Sequence, residues 1–174
     1  MRARSPKALT ATARAMFLVL FASTHAFAQG LSGRLYVGAL YDPVFHVADE
    51  TSNAGAHFDV SQKIVMRTSS SISWVGEFGF NSFDAGTIVG YMGGGRIDGQ
   101  INPMMSAFFQ FLAGAQHCCS STDFAFQPGL GFDYARWPNV TIRTQLDFRR
   151  VFFESGSRSE TRLGVGVAIP LRIR

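Results

Sequence analysis

Apolar and polar side chains alternate strictly along residues 140–149, VTIRTQLDFR. Every even-numbered residue except Thr144 is apolar, and every odd-numbered residue is polar or charged. Successive side chains of an extended strand point to opposite faces, so this stretch predicts a strand with one apolar and one charged face. A soluble sheet turns its apolar face inward, whereas a membrane barrel turns it outward to lipid. The pattern therefore predicts an all-β protein and leaves open which face meets water.

The first 28 residues have the layout of a secretory signal peptide. Four basic residues open the chain, residues 15–22 form a short apolar core, and Ala26-Phe27-Ala28 has the form of a cleavage site. The core is far shorter than the roughly 20 apolar residues of a membrane-spanning helix, which disfavours the alternative of an uncleaved anchor. We predict a cleaved signal peptide at 1–28 and one domain at 29–174.

The basic character of the chain belongs to this leader. The full chain has 16 basic and 12 acidic residues, and the leader contains four of the basic residues and none of the acidic ones. The remainder is therefore balanced, which gives no reason to expect a nucleic-acid partner. Lys63 is the only lysine after the leader, whereas a sheet surface exposed to water usually carries many lysines.

Two adjacent cysteines, Cys118 and Cys119, are the only cysteines of the chain. Neighbouring cysteines can bond to each other only with strain, so they do not form a disulfide framework. His117 precedes them, but three residues in one loop offer no fourth ligand for a structural metal. We predict no metal site and no cofactor.

Period-2 alternation recurs along the chain after the leader, which is the signature of strands and hairpins. The predicted strands are 33–42, 58–67, 72–81, 87–97, 105–116, 123–135, 140–149 and 161–171. Turns at SSS, DGQINP and RWPN are tight, whereas the connection after the first strand (HVADETSNAG) is long. An even number of strands, with short turns on one side and longer loops on the other, predicts an eight-stranded antiparallel up-and-down transmembrane β-barrel.

The composition of the two faces decides which one meets lipid. The polar face mixes glutamine, serine and many glycines with single charges: Arg34, Glu77, Arg96, Asp133, Arg143, Asp147, Arg149 and Arg162. An eight-stranded barrel is just wide enough inside for side chains to fill it, so such charges must pair and glycines must make room. Tyr41, Tyr134 and Trp137 lie near strand ends, where an aromatic girdle belongs. We predict a packed polar lumen and an apolar face toward lipid; a secreted soluble sandwich or lipocalin-like barrel is the alternative.

Residues 33–171 resemble the small outer-membrane β-barrel family of Gram-negative bacteria, which includes the OmpA-like and OmpX-like barrels. The resemblance lies in GYMGGGR at 90–96, FQPGLGFD at 126–133, IRTQLDF at 142–148 and RLGVGV at 162–167. It implies an outer-membrane location and no cofactor, and no catalytic residues transfer with it. Members commonly end on an aromatic residue that the assembly machinery reads, whereas this sequence ends in LRIR.

Catalysis and conduction are the alternatives to a structural or surface-interaction role. The glycine-rich stretch 93–99 lacks the following helix that a phosphate-binding loop needs. A lipid hydrolase would need a serine with a histidine base, but His46, His57 and His117 all fall in or near predicted loops. Eight strands leave little room for a pore. The sequence therefore favours a monomeric, non-enzymatic barrel whose partner is outer-membrane lipid, with a minor pore or a lipid-modifying enzyme as alternatives and any protein partner left open.

Overall fold

The computed structural model describes residues 33–44, 51–83, 86–118 and 121–171, and the predicted signal peptide lies outside them. The strands are β1 (Gly33–Val44), β2 (Thr51–Met66), β3 (Ser70–Phe83), β4 (Gly86–Asn102), β5 (Met105–Cys118), β6 (Ser121–Trp137), β7 (Val140–Phe153) and β8 (Gly156–Leu171). The described ranges contain no helix that is long and apolar enough to cross a membrane.

Each strand pairs antiparallel with the next one along the chain, from β1–β2 through β7–β8. β1 also pairs with β8, where Gly33 lies opposite Leu171. Hydrogen bonding in chain order is the arrangement of a meander, because hairpin connections place each strand beside its predecessor. The prediction of an all-β, antiparallel, up-and-down sheet is confirmed.

Several strands are longer than the sequence pattern predicted. Residues 51–55 belong to β2 although they were expected in a long loop, and β7 and β8 are joined by a two-residue turn at 154–155. Gly156 follows that turn with φ of 153°, a conformation that favours glycine. The expectation of a loop between 149 and 161 is wrong, because the ladder continues where apolar alternation has stopped. Backbone pairing satisfies N–H and C=O groups whatever the side chains are.

Three short connections lie at one end of the sheet, at residues 67–69, 103–104 and 138–139, together with the start of β1 and the end of β8. We call this end the turn end. Backbone hydrogen bonds join its parts: Gln100 N donates to Ser69 O, and Ala135 N donates to Met104 O, both at 2.8 Å. These bonds hold neighbouring turns in fixed positions.

The apolar parity lies on the outside of the sheet, as predicted. Leu130, Leu146 and Leu163 are level with one another on β6, β7 and β8, and they are 50%, 43% and 46% exposed. The opposite parity is buried, including Arg143 and Asp147 on either side of Gln145. Residues 140–149 of β7 therefore have their charged side chains inside and their apolar side chains outside.

The interior is not polar throughout, which the sequence pattern did not predict. Val75, Met92, Leu112, Ala125 and Val151 form a buried apolar cluster, against which Phe153 packs. Most of these residues adjoin another apolar residue in the chain, as in Trp74-Val75 and Phe111-Leu112. Such short apolar runs are typical of strands that meet apolar surroundings on both faces.

Glycines on the interior face make room for large side chains, and Gly131 is the clearest case. Gly131 lies opposite Phe108 on β5, and a Cβ added to it would overlap the Phe108 ring. We expect Gly131→Ala to lower the free energy of unfolding by about 1–3 kcal/mol, because an overpacked site must shift. Gly95→Ala is the control, since nothing lies within 4 Å of its added Cβ. Equal effects of both substitutions in a urea titration would contradict this packing.

Candidate functional site

One group of buried charges surrounds Asp59 on β2. Asp59 Oδ2 accepts hydrogen bonds from Arg96 Nη2 and Arg143 Nη1, each at 2.9 Å. Arg143 also binds Asp133 through two parallel bonds, Nε to Oδ1 at 2.7 Å and Nη2 to Oδ2 at 2.9 Å. All four side chains are at most 2% exposed. We call these four residues the Asp59 cluster; its bidentate pair is the strong form of an arginine–carboxylate contact.

An aromatic ring and an amide complete the surroundings of the two arginines. The guanidinium carbons of Arg96 and Arg143 lie 4.5 and 4.8 Å from the centroid of the Phe108 ring. Both distances fall within the range of cation–π attraction. Gln110 Oε1 accepts from Arg96 Nη2 at 2.6 Å and from Arg96 Nε at 3.1 Å. The arginines are therefore held by hydrogen bonds, by charge and by a ring face together.

A second group of buried charges surrounds Glu77 on β3. Glu77 Oε1 accepts from Arg149 Nη2 at 3.1 Å and from Arg162 Nη1 at 2.9 Å. Gln127 links the members, because its Nε2 donates to Glu77 Oε2 at 3.1 Å while its Oε1 accepts from both arginines. We call Glu77, Arg149, Arg162 and Gln127 the Glu77 cluster. One carboxylate and one amide thus each bind both buried guanidinium groups.

A chain of hydrogen bonds extends from the Glu77 cluster toward the end opposite the turn end. Arg149 Nη1 donates to Gln116 Oε1 at 3.1 Å, and Gln116 Nε2 donates to Glu160 Oε1 at 3.1 Å. Arg158 also pairs with Glu160. Glu160 is 2% exposed, whereas Arg158 is 29% exposed, so this chain connects the buried network to the surface.

Asp147 has different partners from those that the sequence suggested. We expected it to lie close to Arg143, Arg149 or Arg162, and Arg162 does lie directly opposite it on β8. Its carboxylate nevertheless accepts from two amides, Gln110 Nε2 at 3.1 Å and Gln145 Nε2 at 2.8 Å. Arg143 and Arg149 bind the carboxylates of the two clusters. Asp147 is fully buried, so the prediction of its face is confirmed, while its hydrogen bonds come from amides rather than from a guanidinium.

The predicted charged residues of the interior are thus brought together in two clusters. Six of the eight belong to the clusters: Glu77, Arg96, Asp133, Arg143, Arg149 and Arg162. Asp147 is linked to the Asp59 cluster through Gln110, and the side chain of Arg34 lies outside the described residues. Asp59 was placed on the polar face by parity but not singled out. Glu160 was missed because it lies where a loop was expected.

The three histidines do not form a hydrolase site in the described part of the chain. His57 lies in β2 with no exposed surface, so its expected place near a loop is wrong. His117 is exposed, and its Nδ1 lies 2.9 Å from Thr122 Oγ1. His46, Cys119 and Ser120 lie outside the described residues. Among those described, no three histidine, cysteine, aspartate or glutamate side chains group as metal ligands.

The sheet with its buried charge clusters has the fold of small outer-membrane β-barrels. Ail, the attachment invasion locus protein of Yersinia pestis, is similar with a TM-score of 0.55 and 13% identity over 81% of this chain and 100% of that one. Neisserial surface protein A is similar with a TM-score of 0.56 and 6% identity over 83% and 98%. A designed transmembrane β-barrel is similar with a TM-score of 0.51 and 12% identity over 82% and 96%.

These likenesses show the fold alone, because a fold at such low identity hosts unrelated functions. No known protein family matches the sequence, and no curated protein matches it either. The predicted outer-membrane barrel fold is supported by the structural neighbours, while membership of the OmpA-like or OmpX-like group stays a prediction.

Proposed function

We propose that this protein is a closed eight-stranded transmembrane barrel of the bacterial outer membrane, with a packed interior and a structural or surface-interaction role. The observation that carries the proposal is the placement of charge. The charged side chains of the Asp59 and Glu77 clusters are buried and paired inside, while large apolar side chains cover the outside. This arrangement is that of a barrel in lipid, where the outward face must be apolar.

The same observation opposes a secreted soluble barrel. Phe109, Phe111, Leu130, Leu146 and Leu163 are each more than 40% exposed, and they belong to a band that covers neighbouring strands. Soluble monomers rarely expose contiguous apolar patches beyond a few hundred square ångströms. Residues 1–28 fit this proposal as a cleaved leader that sends the chain out of the cytoplasm.

A surface role is supported by the end of the sheet opposite the turn end. Side chains there are polar and exposed, including Ser121, Thr122, Ser157 and the half-exposed Arg158. In outer-membrane barrels the short turns face the periplasm. We therefore propose that the turn end, where β1 begins and β8 ends, faces the periplasm and that the opposite end faces outward from the cell. Ail and Neisserial surface protein A carry names that describe attachment, invasion and surface location of those proteins.

A pore is the weaker candidate because buried side chains occupy the middle of the interior. The Asp59 cluster, the Glu77 cluster and the buried apolar cluster all lie within it. Eight strands enclose an interior about as wide as the side chains that fill it. We also propose no enzymatic activity and no cofactor, a monomer as the working form, and outer-membrane lipid as its immediate partner.

The membrane proposal predicts a specific behaviour on fractionation. We expect the mature protein in the outer-membrane fraction, soluble only with detergent, and we expect unheated and boiled samples to migrate differently on a denaturing gel. Barrel strands with every backbone group paired resist detergent until heated. Recovery of the protein in the periplasmic fraction without detergent would contradict the proposal and support a soluble sandwich.

A further inference from the structure

A polar cavity of about 290 Å³ lies inside the turn end. Arg96 and Arg143 of the Asp59 cluster line it, and both are buried. Its walls carry hydroxyl groups from β3 and β7, notably Ser71, Ser73 and Thr141, which are at most 7% exposed. A cavity of this size exceeds the roughly 30 Å³ that one water occupies in the liquid several-fold. It therefore has room for a small solute.

The charge of the cavity lining is positive. Four cations line it, namely Lys63, Arg67, Arg96 and Arg143, against the two carboxylates Asp98 and Asp133. Asp98 is engaged by two serines, since Ser71 Oγ and Ser73 Oγ lie 3.3 and 3.2 Å from its Oδ2.

Two of the lining cations have no internal counter-charge. Arg96 and Arg143 are neutralised by Asp59 and Asp133. Within the part of the chain that the structure describes, no salt bridge or side-chain hydrogen bond forms at Lys63 or Arg67. Asp59, Asp98 and Asp133 together offset three of the four cations, so the cavity keeps a net positive charge. Lys63 and Arg67 can each donate a charge-assisted hydrogen bond to a ligand, and such a bond is stronger than a neutral one.

Shifts in strand register and backbone hydrogen bonds between turns determine the shape of the cavity rim. The strand register shifts three times in the sheet, between Lys63 and Val65, between Gln100 and Asn102, and between Tyr134 and Trp137, and all three shifts lie at the turn end. Bulges of this kind are frequent at barrel rims and re-aim side chains there. The cross-turn backbone bonds described above hold the rim, and Asn102 Oδ1 accepts from Met104 N at 2.8 Å.

We propose that this cavity is a binding site for a small soluble oxyanion, a phosphate- or carboxylate-bearing solute. Lys63 and Arg67 supply the positive charge that no carboxylate binds, and the hydroxyl group of Thr141 supplies a further hydrogen bond, since those of Ser71 and Ser73 already donate to Asp98. Arg96, Thr141 and Arg143 are buried on the interior face, so lipid that surrounds the outside of the sheet does not reach them. Arg67 lies in the turn at 67–69 and is exposed at the mouth of the cavity. The site itself does not depend on the proposed membrane function; only its compartment, the periplasm, rests on it.

The test is a titration of the full chain, refolded in zwitterionic detergent, with inorganic phosphate at constant ionic strength. We expect saturable changes in amide chemical shifts at residues 61–73, 96–106 and 133–143. The double variant Lys63→Gln, Arg67→Gln should weaken binding at least about tenfold. Arg136→Gln is the matched control, because Arg136 is an exposed cation at the same end that does not line the cavity.

The possible outcomes distinguish a soluble anion from a lipid headgroup. They also distinguish failure of the binding site from failure of the membrane proposal. Shifts without saturation, or equal weakening by the control and the double variant, would overturn the site. Shifts produced by anionic lipid in bicelles but not by phosphate would also overturn it, because they would assign the cations to a headgroup. A difference in gel migration between unheated and boiled samples shows that a variant is folded. If the unsubstituted protein lacked this difference, the membrane proposal would be contradicted, and the binding site would not.

Discussion

Glu77→Ala is expected to lower the free energy of unfolding by about 3–5 kcal/mol, the usual cost of removing one partner from a buried ion pair. Arg149 and Arg162 would both lose the carboxylate oxygen that they share, at 3.1 and 2.9 Å. Gln127 would lose the acceptor of its Nε2 group as well. Two buried guanidinium groups would then share the amide oxygen of Gln127, and Arg149 would keep in addition only that of Gln116.

A urea titration of folding into lipid vesicles measures this loss. Asp123→Ala is the control, because Asp123 is only half-buried and its carboxylate is engaged by the hydroxyl of Ser121. We expect the control to cost less than about 1 kcal/mol, which is the ordinary net value of a hydrogen bond near a surface. A Glu77→Ala variant as stable as the control would show that water reaches the Glu77 cluster. It would then favour the alternative that the protein is a minor pore.

Leu146→Arg is expected to cost about 2–4 kcal/mol in lipid, the cost of arginine on the outer face near the bilayer midplane. Leu146 lies in the middle of β7 on the outer face, between Leu130 and Leu163 on the neighbouring strands. Both neighbours are leucines, so neither offers a carboxylate to an arginine at position 146. Its guanidinium must either remain in the hydrocarbon or bend toward the headgroups.

Ile142→Arg is the matched control for depth. Ile142 has the same parity on the same strand but lies nearer the turn end, where the cost should fall toward about 0–1 kcal/mol. Folding titrations in vesicles give both values under one condition. If Leu146→Arg proved neutral while polar changes at interior positions of β7 were not tolerated, the two faces would have been assigned the wrong way round.

The hydrogen-bond partners of Asp147 could not be predicted from the sequence. The sequence placed it near arginines, and Arg162 does lie opposite it, but its hydrogen bonds come from two glutamines, Gln110 and Gln145. Parity is a local property, so the chain itself indicated that Asp147 faces inward. Which donor lies level with it depends on the register of β5, 37 residues away in sequence. No local pattern contains that register.

The positions where strands end are a second feature that the local sequence pattern did not predict. Hydrophobic alternation marks a strand with one apolar face, and it stops at residues 151–153, where consecutive residues are apolar, and at 154–160, which are polar or glycine. The sequence therefore placed residues 150–160 in a loop. The ladder between Phe153 and Gly156 shows that strands and apolar bands end at different residues. His57 was misplaced for the same reason, because it stands just before the first apolar residue of its predicted strand.

Sequence by itself determined the strand meander, the identity of the two faces and the need for internal charge pairing. Each of these follows from residue parity and from the scarcity of lysine. The tertiary structure alone decided which charges meet, because Asp59 and Arg143 are separated by 84 residues and come within 2.9 Å only through the curvature and register of the sheet. The tertiary structure also decided that an apolar cluster lies in the interior beside the charged clusters. It decided as well that a positively charged cavity lies at the turn end, where the described strand ladders shift register three times.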